Sequence, residues 1–372
     1  MGGIVETVFW FLVVLTPIVF VHELGHYWVA RRCGVRVEVF SVGFGRELVG
    51  WTDRAGTRWK ISLLPFGGYV RMFGQSDTGA DDRVEELSEA DRRVSFVGKS
   101  LAARAAIVAA GPLANLLFAI LVFAVLFGAV GQPFTPAIVT EVAPDSPAAA
   151  AGLQPGDRFV SVAGSSVARF EEVQRIVRLH PGLPIDVIVE RDGSEVSLST
   201  VPRAVREPDG MGGEQSVGVL GVRGTVRDFV RHAPHEALWQ AVRETGRLIG
   251  LTVTAVGQMV SGDRGTDELG GPVRIAQMSG TAADAGIATL IVFAAFLSIN
   301  LGLINLLPVP MLDGGHLMFY AWEAVAGRPP GERWQDIGVK IGLALVLALM
   351  VFATVNDLVR LPAVRQLVGL IG

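Results

Sequence analysis

The sequence predicts a polytopic α-helical membrane protein. It has four transmembrane helices, a membrane-associated β-hairpin region behind the first, and one small β-rich domain inserted between the second and the third. Three observations carry this reading. Four stretches of about 20 mostly apolar residues, the length a helix needs to cross a bilayer, lie at 4–30, 105–130, 286–308 and 338–355. Half of the 372 residues are hydrophobic and only 18% are charged, against roughly 25% in soluble chains, and the mean hydropathy is +0.45. Residues 136–203, in contrast, alternate strand-like runs with Gly- and Pro-containing turns.

The first span occupies residues 1–34. No basic segment precedes its apolar run and no small-residue cleavage site follows it, so it is expected to be a retained span and not a signal peptide. Its final third reads Val21-His22-Glu23-Leu24-Gly25-His26. On a helix, His-Glu-x-x-His sets both imidazoles on one face with the glutamate beside them. This is the spacing of a two-histidine zinc site whose carboxylate serves as general base. The motif also recurs in soluble helices that hold no metal. Three ionisable side chains at membrane depth, however, are costly and mark function.

Residues 35–75 form the hairpin region: Val35 to Val42 alternates as a strand does, and 59–64 is a second strand-like run, followed by Gly67-Gly68-Tyr69-Val70. In the connection 76–104, Asp77, Asp81, Asp82, Glu85, Glu86, Glu89 and Asp91 read as a solvated acidic loop with a helical turn. The second span, 105–131, has no charged residue. Within 136–203 the pattern is a strand at 137–142, a turn at Gly152-Leu153-Gln154-Pro155-Gly156-Asp157, a strand at 158–162, a helix at 170–178, and a hairpin across Arg191-Asp192-Gly193. Residues 204–285 are a linker with an amphipathic helix, marked by Trp239, Val242, Leu248, Ile249, Val253, Val256 and Met259 at helical spacing. The third span covers 286–316, a connection 317–337, the fourth span 338–358 and a tail 359–372.

Basic residues orient the spans. Arg31, Arg32 and Arg36 follow the first, Arg92, Arg93, Lys99 and Arg104 precede the second, and Arg328, Arg333 and Lys340 lie between the third and fourth. Residues 31–104 and 310–337 are therefore expected in the cytoplasm, with 131–285 and both termini outside; Arg360 and Arg365 are a mild exception. A net charge of −4 with no basic stripe gives no case for nucleic acid. The single cysteine, Cys33, excludes an internal disulfide framework and a cysteine zinc cage.

With this orientation the ends of spans one and three meet at one cytoplasmic depth. His22, Glu23 and His26 stand at the first end, and Asn305-Leu306-Leu307-Pro308-Val309-Pro310-Met311-Leu312-Asp313-Gly314-Gly315 at the other. A catalytic zinc keeps three protein ligands and an open position, and Asp313 is the natural third, with His316 as the rival. Pro308 and Pro310 interrupt the helix, and the two glycines let the backbone bend closely. Such breaks are tolerated where they line a polar cavity.

These motifs, taken in order, resemble the site-2 protease family of intramembrane zinc metalloproteases, and most closely its bacterial RseP-type members that regulate sigma factors. HELGH and NLLPVPMLDGGH carry the likeness. Phe40-Ser41-Val42-Gly43-Phe44-Gly45 and Pro65-Phe66-Gly67-Gly68-Tyr69-Val70 match its β-hairpin region. Gly111-Pro112-Leu113-Ala114-Asn115 matches its second-span motif, and Leu269-Gly270-Gly271-Pro272-Val273 its stretch before the third span. The resemblance implies Zn2+ held by His22, His26 and Asp313, Glu23 as the catalytic carboxylate that activates water at the metal, and Asn305 as a substrate-contacting or oxyanion-stabilising amide. Without it, interhelical hydrogen bonding would account for Asn305.

The resemblance further implies a bacterial inner-membrane protein whose active site lies near the cytoplasmic side. Its substrates would be single-span membrane proteins, anti-sigma-factor-like or remnant signal peptides, bound by strand addition to the hairpin. Ser146-Pro147-Ala148-Ala149-Ala150-Ala151-Gly152-Leu153 followed by Gln154-Pro155-Gly156-Asp157 resembles the PDZ domains of bacterial envelope proteases. One such domain is visible, where well-known members have two, and it would filter substrates or bind a peptide or envelope partner. Two other classes compete: a catalytically silent scaffold, which need not keep Glu23, both histidines and Asp313, and a metal transporter, for which no inverted repeat appears.

Overall fold

The computed structural model describes residues 3–75, 87–208, 214–224, 228–262 and 270–360. The chain opens with α1 (Ile4–Arg32), β1 (Val37–Thr52), β2 (Arg58–Met72), α2 (Glu89–Val94) and α3 (Leu101–Ala129). There follow β3 (Gln132–Phe134), β4 (Glu141–Val142), α4 (Pro147–Ala150), β5 (Arg158–Val162), β6 (Ser165–Ser166), α5 (Phe170–Arg178), β7 (Ile185–Arg191) and β8 (Ser194–Thr200). The strands β9 (Arg203–Pro208), β10 (Glu214–Val219), β11 (Val222–Arg223) and β12 (Asp228–Val230) come next. The rest is helical: α6 (Pro234–Ser261), α7 (Pro272–Asp284), α8 (Ile287–Leu306), α9 (Asp313–Ala326) and α10 (Glu332–Arg360). The acidic residues Asp77, Asp81, Asp82, Glu85 and Glu86, Leu269, and the tail from 361 lie outside the described residues, whereas Glu89 and Asp91 sit in α2, capped by the Ser88 hydroxyl.

Two compact units result, one of residues up to 124 together with 238–254 and the segment from 265, the other of 125–237 and 255–264. In the first, four helices are long and apolar enough to cross a membrane, over Val5–Arg32, Leu101–Ala129, Ile287–Leu306 and Arg333–Val359. The third stops at Leu306, close to the end at 308 of the apolar stretch read from the sequence, and the aspartate motif up to 316 falls in the turn and helix that follow. Leu307 is extended (ψ 142°) because it precedes Pro308, whose ring disfavours helical backbone in the residue before it. The chain turns over 307–312 and starts again as α9. Arg31 and Arg32 occupy the last turn of α1, where cations suit the helix dipole.

The β1–β2 pair is more than a simple hairpin. Thr52 pairs with Arg58 and Val49 with Ile61, while Val39 to Val42 lie beside both Arg58–Ile61 and Gly68–Arg71. Each long strand therefore bends and contributes two segments, and Gly68 to Arg71 has a pairing partner on one side. Phe40 is fully buried and stacks on Trp59 at a ring separation of 4.3 Å.

The helix α7, not anticipated from sequence, starts with Pro272 at its first turn, a position that needs no N–H. Asp357 of α10 accepts the N–H groups of Gly271 (3.1 Å) and Arg274 (2.8 Å) and so caps it.

The second unit is built on a sheet of order β6-β5-β7-β8 with α5 packed on it through Val173 and Val177. Period-2 alternation puts Ile185, Val187 and Val189 of β7 inward, against Phe159, Val162 and Phe170. The core continues beyond the limit of 203 drawn from sequence. Leu220 is buried in it, Val222 packs against it, and β11 pairs with β4. The short β11 and β12 strands lack the alternation that would announce them.

Candidate metal centre

Asp313 owes its place to a tight turn. The φ of Met311 is +92°, unusual for a side chain other than glycine. A methyl group on Gly314 would run into the carbonyls of Leu306 and Leu307, and one on Gly315 into Val309 and Pro310. Gly342 of α10 packs as closely on the Pro310 carbonyl. Gly314 and Gly315 thus let the start of α9 fold back onto the end of α8 with its first residue toward α1, and Gly342 lets α10 close on the turn between them.

His22 and His26, one turn apart on α1, meet Asp313 there. The Nε2 atoms of the two histidines are 3.2 Å apart; His22 Nε2 lies 3.2 Å from Asp313 Oδ2, and His26 Nε2 3.5 Å from Oδ1. A tetrahedral metal with ligand bonds near 2.0–2.1 Å holds its ligand atoms about 3.3 Å from one another. Two imidazole nitrogens and one carboxylate oxygen at these separations fit zinc. Among the described residues, His22, His26 and Asp313 form the cluster able to hold a metal ion. His316 lines the same cavity but stands outside that cluster.

The cavity measures about 380 Å³ and contains Glu23, Asn305, Gly68, Tyr69 and Val70 beside the three ligand candidates. Glu23 is packed against β2: a methyl on Gly68 would come within 3.0 Å of its Cγ. Glu23 and Asp313 bring two carboxylates to one cavity, and a divalent cation held by His22, His26 and Asp313 would balance their charge.

Other residues of the centre went unassigned in the sequence. His26 Nδ1 lies 2.9 Å from the Ile107 carbonyl, and the Asn115 carboxamide is 3.4 Å from His22 Nδ1. Gly111 leaves room for the His26 ring, which a methyl there would strike. The spacing held the signal: Gly111 and Asn115 are four apart, as are the two histidines. Arg104 and Glu323, which line the cavity farther out, are paired at 2.7 Å with less than a fifth of either side chain exposed.

A two-imidazole, one-carboxylate centre with a neighbouring glutamate, carried on helices able to cross a bilayer, defines the class of membrane metallohydrolases. The chain belongs to peptidase family M50, whose model matches residues 10–349. It is 48% identical over 356 residues to a protein of Agrobacterium fabrum whose provisional name is zinc metalloprotease, covering 94% of each chain. A similarly named relative in Rhizobium meliloti is 47% identical over 94% of this chain and 95% of its own. The metalloprotease MmpA of Caulobacter vibrioides is 38% identical, over 96% and 97%.

Proposed function

We propose that this M50 peptidase is an intramembrane zinc metalloprotease of the RseP type, cutting single-span membrane proteins within or near their transmembrane segment. The observation that carries the reading is the 3.2–3.5 Å spacing of the His22, His26 and Asp313 donor atoms, with Glu23 in the same cavity. The names of the relatives support zinc as the metal. When bound, zinc lowers the pKa of a coordinated water towards ~7 and polarises the scissile carbonyl. Glu23 takes the proton from the attacking water and delivers it to the leaving amine. Asn305, lining the cavity, offers its amide N–H to the developing oxyanion.

A helix hides its peptide bonds, so the substrate must unwind and its freed backbone groups need partners. The Gly68–Arg71 segment, paired on one side and running past Glu23, supports their capture as an added strand. The bacterial relatives support an inner-membrane location, and the positive-inside pattern supports an orientation with the centre near the cytoplasm and residues 136–203 outside. There a PDZ-like domain would screen substrates, anti-sigma-factor-like proteins or remnant signal peptides, after an outer cut. The helix-flanked groove at Phe170, Val173, Val177 and Leu220 supports a peptide-binding role.

The test is the zinc content and reporter cleavage of the purified chain. About one zinc per chain is expected, lost in His22→Ala and Asp313→Ala and kept in His316→Ala. Glu23→Gln should keep zinc and lose cleavage of a single-span reporter. A Glu23→Gln variant that still cleaves would overturn the mechanism.

A further inference from the structure

The side of the histidines turned away from Asp313 faces α3, and the contacts there are specific. A neutral imidazole that gives Nε2 to a metal carries its proton on Nδ1 and needs an acceptor for it. His26 has one in the Ile107 carbonyl at 2.9 Å. His22 Nδ1 faces Asn115, two turns farther along α3, at 3.4 Å from the carboxamide nitrogen. Asn115 is fully buried, and its Oδ1 is a buried acceptor that no donor reaches. A half-turn of the carboxamide brings that oxygen to His22 Nδ1, and the two ends of an amide differ little in shape.

We infer that Asn115 is the positioning residue of His22: its carboxamide oxygen accepts the Nδ1–H and thereby turns Nε2 to the metal. The inference rests on His22 being a zinc ligand. Its backbone setting is braced separately, because the Ser298 hydroxyl donates to the Asn115 carbonyl at 3.0 Å and Gly302 lets α8 approach at that level. A residue kept only for interhelical packing would need shape and not an acceptor. Partners of this kind change metal affinity about 10–100-fold when lost.

The experiment measures zinc affinity of the full chain in detergent by competition with a chelator of known affinity. Asn115→Leu keeps the branched side-chain skeleton, somewhat enlarged, without the oxygen and is expected to weaken zinc roughly 10–100-fold. Asn115→Asp keeps an acceptor and loses the donor, and should hold zinc within about threefold of wild type, carboxylates being ordinary partners of metal-bound histidine. Ser298→Ala, which disturbs the same packing, should change the affinity by less than about threefold. Wild-type affinity in Asn115→Leu, or a loss in Asn115→Asp as large as in the leucine variant, overturns the inference. Should Asn115→Leu not fold, Asn115→Ala, which also lacks the oxygen, is read against the same roughly 10–100-fold loss, while Asn115→Asp excludes a donor role, which predicts that it loses zinc. Wild type without zinc, or with zinc retained in His22→Ala, removes the ligand reading and this inference with it. Zinc lost in His22→Ala but unaltered in both Asn115 variants removes this inference only.

Discussion

Asp157→Ala is expected to destabilise the second unit by about 3 kcal/mol at neutral pH. The carboxylate is 1% exposed and receives three hydrogen bonds: Gln154 N–H at 2.8 Å, and Arg191 Nε and Nη2 at 2.7 Å each. Together they clasp the turn before β5 to the end of β7. Hydrogen bonds to a charged group contribute ~1.5–3 kcal/mol each when protected. Arg191 is a quarter exposed and the Gln154 N–H is near the surface, so water recovers part of that, leaving about 1 kcal/mol per bond. Hydrogen exchange on the full chain reads the change at β7, whose Val187 and Val189 are fully buried. A loss of 3 kcal/mol lowers amide protection there roughly 10²-fold. A change smaller than about threefold would refute the clasp.

The same carboxylate sets a pH dependence. Burial pushes the Asp157 carboxyl up, but the Arg191 guanidinium and the Gln154 N–H outweigh it and hold the group below the usual carboxylate range. A group whose pKa is lower folded than unfolded stabilises the fold fully above its unfolded value, ~3.9 for aspartate. That contribution is lost as the pH falls through the folded value. The stability gap between wild type and Asp157→Ala should therefore stay level from pH 8 to about 5 and narrow below it. A gap that widens in acid would contradict the assignment.

Two further substitutions probe the first unit. Asp357→Ala removes the cap that α10 places on the N-terminus of α7 and should cost about 1–2 kcal/mol, visible as a lower midpoint of thermal unfolding in detergent; an unchanged midpoint would sink the capping role. Gly111→Ala sends a methyl into the His26 ring and should weaken zinc about tenfold or more, although alanine is the better helix former by ~0.5–1 kcal/mol. Leu117→Ala on the same helix, where the leucine is 65% exposed, should leave zinc binding alone; equal effects from the two would show that α3 acts by bulk packing.

Much of the frame was legible because its signals are local. Hydropathy alone marks the four spans, since a lipid-facing helix is apolar on all sides and needs no partner to be recognised. The imidazole pair is likewise written in one helical turn. The rest depends on residues distant in sequence. Asn115 and His22 are 93 positions apart, and nothing in an apolar span says which neighbour an amide will face. The helix α7 hides because Pro272 to Asp284 has neither strong amphipathicity nor the length of a span. Leu220 joins the core of the second unit from the connection between β10 and β11, and β11 is only two residues long.

The geometry of the centre follows from how closely its helices approach. Aspartate and histidine are short, so donor atoms about 3.3 Å apart require backbones nearer than leucines would allow. Small residues supply that nearness wherever two elements meet at the site. Gly25 of α1 lies against the Ala110 carbonyl and Ala114 of α3, Gly302 of α8 against the Pro112 carbonyl, and Gly314 against the end of α8. In a bilayer such contacts are favoured because lipid offers helices no hydrophobic reward for association, leaving close packing and hydrogen bonds to hold them. The device that holds the spans together thus also sets the distances between the metal-binding atoms. Steric substitutions at these glycines should therefore reach the chemistry before they reach the fold.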